Sequence, residues 1–212
     1  VMTDRLRYIG GSAFWRAVGM TGTFYLSPNL EFLGANAFEG CGHDLTGDIV
    51  IPAALSEIPE SAFKHMGFRN GTNLIMHDGI KKISSRAFQG VRIKNSFSWP
   101  SGLEIIQYNA FAGSEINIHD FTFPTRIKSI GAGAFRSNHI RGALEIPESM
   151  TLLESGTSDL HIGAADVDGV FSYTDVESVV MGDNLLHVGK IAFMHCGLLK
   201  SIYIGKNVEY IG

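Results

Sequence analysis

Eight histidines, two cysteines and a scatter of serines and carboxylates are the residues of this chain that could do chemistry, and their spacing decides which chemistry is open to them. The histidines stand at His43, His65, His77, His119, His139, His161, His187 and His195, with no His-Glu-x-x-His and no Cys-x-x-Cys among them. A zinc site needs such clustered donors, so zinc is not expected. Asp166-Val167-Asp168-Gly169 places carboxylates at the spacing that opens a calcium loop, but the twelve-residue ligand order and its terminal glutamate are missing. An ordinary polar turn is the expectation there. Asp159, His161 and Ser172 lie near one another in sequence, yet no nucleophile elbow surrounds the serine, and Gly10-Gly11 starts no phosphate loop. Asn70-Gly71-Thr72 is a glycosylation sequon and also a turn signal. The chain is therefore read as not an enzyme, with no catalytic residues, no metal and no cofactor.

Bulk properties narrow the field further. The 212 residues are 45% hydrophobic and 18% charged, enough apolar material for a continuous core and too little charge for disorder. A net charge of −4 without basic runs lacks the electrostatic footprint of a nucleic-acid binder, so no nucleic-acid partner is expected. No stretch of 18 or more apolar residues occurs, so no transmembrane segment is read, and the first residues lack the charged-then-apolar order of a secretory signal.

The elements that must position these residues are set by a repeat. Ala-Phe recurs with its phenylalanine at Phe14, Phe38, Phe63, Phe88, Phe111 and Phe135, at intervals of 24, 25, 25, 23 and 24 residues. Phe171 follows after 36 residues and Phe193 after a further 22. This is the period of a solenoid of about eight coils of about 24 residues, in which neighbouring coils bury one another's apolar face. The eight phenylalanines are expected to stack as an interior column, with a small alanine beside most of them where the next coil passes. An aliphatic residue stands four positions before each alanine, followed by glycine at Gly10, Gly34, Gly131 and Gly189, which marks either a turn of positive φ or a close backbone approach. About a dozen extra residues after Phe135 form an insertion at about 154–169, read as a loop leaving the stack and a possible contact site.

About ten residues after each phenylalanine come two large apolar residues separated by one: Phe24/Leu26, Ile49/Ile51, Leu74/Met76, Phe97/Trp99, Phe121/Phe123, Leu144/Ile146, Val179/Met181 and Ile202/Ile204. Period-two alternation makes each pair the inward face of a short strand, and Pro52, Pro100, Pro124 and Pro147 end four of them. The strands stack into a parallel sheet along one face of the solenoid. Its outward positions are Tyr25, Val50, Ile75, Ser98, Thr122, Glu145, Val180 and Tyr203, five of the eight apolar or aromatic. An exposed apolar column of this kind marks a candidate partner-binding surface. Lys81, Glu104 and Lys128 form a second outward column whose alternating charges are expected to pair between coils. Cys41 and Cys196 occupy equivalent positions in the second and eighth coils, roughly 29 Å apart at ~4.8 Å per coil. Disulfide formation needs about 7 Å, so none is expected.

Leu33-Gly34-Ala35-Asn36-Ala37-Phe38-Glu39-Gly40-Cys41, and Val188-Gly189 through Phe193 to Cys196, Leu199, Ile202 and Ile204, resemble the BspA-like leucine-rich repeats, whose unit reads I-G-x-x-A-F-x-x-C and then L-x-x-I-x-I-P. Pro59, Ser84 and Gln107 depart from the glycine of that unit. The resemblance implies an α/β-type repeat solenoid, a right-handed leucine-rich repeat superhelix forming a single domain over 1–212, apparently cut within a ninth repeat at Val208–Gly212. It also implies a secreted or cell-surface, extracellular protein that binds or adheres to a protein or glycan ligand without catalysis. Two alternatives stand beside this reading. One is a structural spacer carrying another domain; the other is a carbohydrate-active β-helix enzyme, which would need a stacked acidic cluster where the outward column supplies only Glu145.

Overall fold

The computed structural model describes residues 2–94, 98–153 and 169–212. These form a parallel β-solenoid of about eight coils, with seventeen short strands among the described residues and no helix. The strands fall into two ladders. One consists of β1 (Tyr8–Ile9), β3 (Phe32–Leu33), β6 (Glu57–Ile58), β8 (Lys82–Ile83), β9 (Ile105–Ile106), β11 (Ser129–Ile130), β13 (Leu152–Leu153), β15 (His187–Val188) and β17 (Tyr210–Ile211). The other, in three separate stretches, consists of the pair β2 (Thr21–Thr23) and β4 (Asp44–Thr46), the pair β5 (Ile49–Val50) and β7 (Leu74–Ile75), and the sheet of β10 (Asn117–Phe121), β12 (His139–Ile146), β14 (Asp175–Met181) and β16 (Ser201–Tyr203). All pairings are parallel and run from coil to coil, as between Ile130 and Leu153 or between Val179 and Ile202.

The first ladder is a second sheet where the sequence indicated only a turn. It is built on the aliphatic residue that precedes the alanine. Its strands are two residues long, so each sends one residue inward and shows no alternation to read. At Gly34 and Gly131 the glycine after that aliphatic residue is a point of close approach and not of positive φ: a Cβ on Gly34 would lie 2.2 Å from the Gly11 nitrogen, and one on Gly131 2.5 Å from the Tyr108 nitrogen. Seven strands from β6 to β17 pair continuously, while β1 and β3 form a separate pair. Pro59 accounts for the interruption. In other coils the residue after this strand donates its N–H to the coil before, as Gly34 does to Ile9 O and Ser84 to Ile58 O, and proline has no hydrogen to give.

The Ala-Phe segment closes the coil without a helix, which corrects the α/β element of the expected fold. The residue before the alanine has positive φ in all seven Ala-Phe copies: Ser12, Asn36, Ser61, Arg86, Asn109, Gly133 and Ile191. So does the residue two after the phenylalanine, from Arg16 and Gly40 to Tyr173 and His195. Left-handed residues at this spacing break any helical ladder, and the N–H groups are turned along the solenoid axis instead. They bond carbonyls of the following coil, as in Asn36 N to Glu60 O at 2.9 Å and Phe38 N to Ala62 O at 2.8 Å.

The core is one continuous cluster. From Phe14 through Phe38, Phe63, Phe88, Phe111, Phe135 and Phe171 to Phe193, successive rings stack with centroids 5.1 to 6.0 Å apart and planes within 16°. The six central rings are fully buried, whereas Phe14 and Phe193, in the first and last coils, are only partly so. Burial of each central ring contributes roughly 1.5 to 3 kcal/mol. The interval of 36 residues leaves the stack intact: Phe135 and Phe171 are 5.5 Å apart, and Phe135 N donates to Val170 O. The insertion itself, 154–168, lies outside the described residues, as does Phe97. Phe24, Phe121 and Trp99 pack edge-on against the column, tying the second ladder to it. Phe24/Leu26 and Trp99 lie outside strands, although Phe24 and Leu26 are buried. Ile202 and Ile204, expected inward, are 45% and 49% exposed, because β16 is the last strand of its sheet and has a neighbour on one side only.

Candidate functional site

The alternation of the second ladder decides what faces solvent. Ile49, Leu74, Leu144 and Val179 are buried, and the residues next to them, Val50, Ile75, Glu145 and Val180, are exposed. Tyr25, Ser98, Thr122 and Tyr203 are exposed as well. The structure gathers these eight positions unevenly. Val50 and Ile75 are cross-strand partners, and the Tyr25 hydroxyl donates to Asp4 Oδ1 at 2.8 Å. Further along, Glu145, Val180 and Tyr203 are direct partners across β12, β14 and β16, and Thr122 follows Phe121, which pairs with Leu144.

Those four residues line one open groove of about 460 Å³, joined by a second row that the outward column did not include. Thr125, Glu148 and Asp183 stand two positions after the inward residues Phe123, Ile146 and Met181. The intervening Pro124, Pro147 and Gly182 turn the chain there. Each acidic member of the row also holds the next coil: Glu148 accepts from the N–H of Asp183 at 3.0 Å and of Asn184 at 3.2 Å, and Asp183 accepts from the N–H of Lys206 at 3.1 Å. The Lys206 ammonium also pairs with Asp183, and together these contacts hold the Asp183 carboxyl below the usual aspartate range. Glu145 is different, for its carboxylate has no hydrogen-bond or ion-pair partner among the described residues. An acid directly after the turn residue, as in Pro147-Glu148 and Gly182-Asp183, was the signal that could have revealed this row.

The residues singled out for chemistry are dispersed. His43 contacts Val18 O, His77 contacts Pro52 O, His119 sits against Asp120 at 2.9 Å and His139 against Asp175 at 3.6 Å. His195 stacks on Tyr173, and burial pushes the His65 pKa down. No group of three His, Cys, Asp or Glu side chains able to hold a metal occurs among the described residues. Ser172 is buried and donates to Gly169 O at 3.0 Å, a structural bond, while Asp159, His161, Asp166 and Asp168 lie outside the described residues. Thr72 of the sequon is buried, its hydroxyl donating to Gly47 O at 3.0 Å. In the charged column, Lys128 pairs with Glu104 at 2.7 Å.

A coil that repeats its aliphatic, alanine-phenylalanine and strand positions this regularly is a family signature. A model described as a BspA type leucine-rich repeat region matches six copies over residues 1–69, 66–157 and 167–212. The chain belongs to the BspA-type leucine-rich repeat family. No curated protein sequence matches it. Among solved structures, a leucine-rich repeat protein from Bacteroides ovatus is 16% identical, with a TM-score of 0.39 over 97% of this chain and 78% of that one. A superposition that loose adds nothing to the family assignment.

The BspA-type unit ends its turn in cysteine, and the structure shows what that position does. Cys41 and Cys196 are free, and their thiols point at the carbonyls of Phe14 and Phe171, one coil back. In other copies Ser114 and Asn138 occupy the same place and donate to Phe88 O at 2.6 Å and Phe111 O at 2.8 Å. Both cysteines are therefore small donors to the preceding coil, Cys41 buried and Cys196 half-buried, and burial pushes the Cys41 pKa up, away from a reactive thiolate.

Proposed function

We propose that this BspA-type solenoid is a non-enzymatic binding module, coiled right-handed, that acts outside the cell and engages a protein or glycan through the outer face of its second ladder. The observation that carries the reading is the groove in which Thr122, Glu145, Val180 and Tyr203, one from each of four consecutive coils, meet on a rigid support. Apolar and aromatic surface beside convergent polar groups is what ligand sites of 300–1,000 Å³ usually present. Because β10, β12, β14 and β16 beneath the groove are hydrogen-bonded side by side, the face is preorganised, and binding need not order it first. Val50 and Ile75 extend the same face toward the first coils, with Tyr25 beyond them. An extracellular location accords with the family resemblance.

The test is a comparison of the wild-type chain with the variant Tyr25→Ser/Ile75→Ser/Val180→Ser/Tyr203→Ser on a printed glycan array and a displayed library of linear peptides. All four side chains are exposed, so far-UV circular dichroism and thermal melting should be unchanged. A binding module selects reproducible ligands and loses them, at least tenfold in Kd, in the variant. A spacer selects none, or binds equally well after the substitution, and either result would overturn the proposal.

A further inference from the structure

We infer that the occupant of this groove is an uncharged oligosaccharide, an inference that rests on the binding face proposed above and names its ligand class. The chemistry of the lining is acceptor-rich and laterally graded. At one end Tyr203, 59% exposed, and Val180, 43% exposed, form a flat apolar platform on neighbouring strands. In the next coil Glu145 presents a carboxylate with no partner among the described residues, and beyond it the Thr122 and Thr125 hydroxyls are likewise unengaged. A ligand that satisfies this set needs one apolar face for the tyrosine ring and several neutral hydroxyl donors for the carboxylate two strands away. A pyranose ring has both: its axial C–H groups make the apolar face, and its vicinal hydroxyls donate to an acceptor-only carboxylate.

Electrostatics removes the competing ligands. Anionic sugars, phosphates and acidic peptides would face the uncompensated charges of Glu145 and Glu148, Asp183 being balanced by Lys206. Polycations are poorly served too, because two of those three carboxylates are already engaged. Glu148 caps two backbone N–H groups, and Asp183 is neutralised by Lys206. One uncommitted carboxylate does not make a site for a polycation. The row from Thr122 to Tyr203 spans three strand spacings, about 14 Å, which suits a short chain of sugar rings lying along the solenoid axis.

Saturation-transfer NMR on the intact chain tests the assignment with cellotetraose, maltotetraose, mannotetraose and lactose as neutral probes, sialyllactose as the anionic probe and a lysine-rich decapeptide as the cationic one. The expected result is transfer to at least one neutral oligosaccharide, strongest at its ring C–H protons. It is lost in Tyr203→Ala, weakened at least tenfold in Glu145→Ala, and unaffected by Tyr25→Ser on the distant part of the face. Sialyllactose should give no signal with the wild type. Absence of transfer to every neutral sugar, or transfer that ignores both groove substitutions, overturns the glycan assignment. If the decapeptide alone binds and is lost in Glu145→Gln, the glycan assignment fails and the binding face stands; if no probe responds to any groove substitution, both fall. Far-UV circular dichroism of each variant separates loss of binding from loss of fold.

Discussion

Ile191 is the residue at which this repeat works against itself. Its φ is 54°, in a column otherwise filled by Ser12, Asn36, Ser61, Arg86, Asn109 and Gly133. A β-branched side chain in the left-handed region crowds its own backbone, at a cost of roughly 1–2 kcal/mol that asparagine and glycine largely avoid. The coil keeps this geometry because its neighbours demand it: Phe171 N and Tyr173 N bond the carbonyls of Ala192 and Met194 on either side of the turn. Ile191→Asn should therefore raise stability by about 0.5–1 kcal/mol, some of the relief being offset by lost apolar contact. Urea denaturation with an unchanged m value is the measurement, and a lower midpoint would mean that packing by Ile191 outweighs its strain. The same column shows what a reader of the sequence could have seen. Asn, Ser or Gly just before five of the seven alanines, and Gly at positions 40, 90 and 113 two after the phenylalanine, are residue types that tolerate positive φ better than most, and together they exclude a helix in the turn. Alanine and phenylalanine are themselves compatible with helix, so only their neighbours carry this signal.

Between coils, the connection after the second ladder is held by carboxylates. Asp78 Oδ1 accepts from Ser101 N at 2.8 Å, Glu148 caps Asp183 and Asn184, and Asp183 caps Lys206. The Asp78 carboxyl is held low by the Ser101 backbone N–H, and Asp183 by the Lys206 side chain and then its N–H. Both pKa values are depressed by folding. The unfolded chain therefore takes up protons first, and the stabilisation, complete at neutral pH, is lost as the pH falls through the ordinary aspartate value near 3.8 and on through the folded values below it. Thermal melts from about pH 6 to about pH 2 should show the midpoint falling on the acid side, with a shallower fall in Asp78→Asn/Asp183→Asn. An identical slope would show that these caps contribute nothing to acid sensitivity. At this scale the sequence was half legible. Strands ending in proline, with paired apolar residues, announced the second ladder, whereas the first has a single inward residue per strand and no period to detect. The break at Pro59 was visible as a departure from glycine, but its consequence, an interrupted sheet, depends on a hydrogen bond to another coil.

Over the whole molecule, the column of rings makes stability a sum of coil and interface contributions. Phe88 and Phe111 touch, with centroids 5.3 Å apart, while Phe63 and Phe171 are separated by three intervening rings. Phe63→Leu and Phe171→Leu should therefore add within about 0.5 kcal/mol, and Phe88→Leu and Phe111→Leu should show a coupling of at least about 0.5 kcal/mol. Equal coupling for the two pairs, measured by equilibrium denaturation, would contradict nearest-neighbour stacking. The recurrence of apolar residues every two dozen positions was by itself enough to establish a stacked solenoid, the inward and outward sides of its second ladder, and the exposure of Tyr25 through Tyr203, because periodicity and burial are properties of one chain segment repeated. What needed the folded molecule was everything that happens between coils. The left-handed turns, the second sheet, the carboxylate caps and the meeting of Glu145, Val180 and Tyr203 with Glu148 and Asp183 in one groove all rest on contacts between residues some 22 to 36 positions apart. Only register between neighbouring coils, decided by packing, brings those residues within reach.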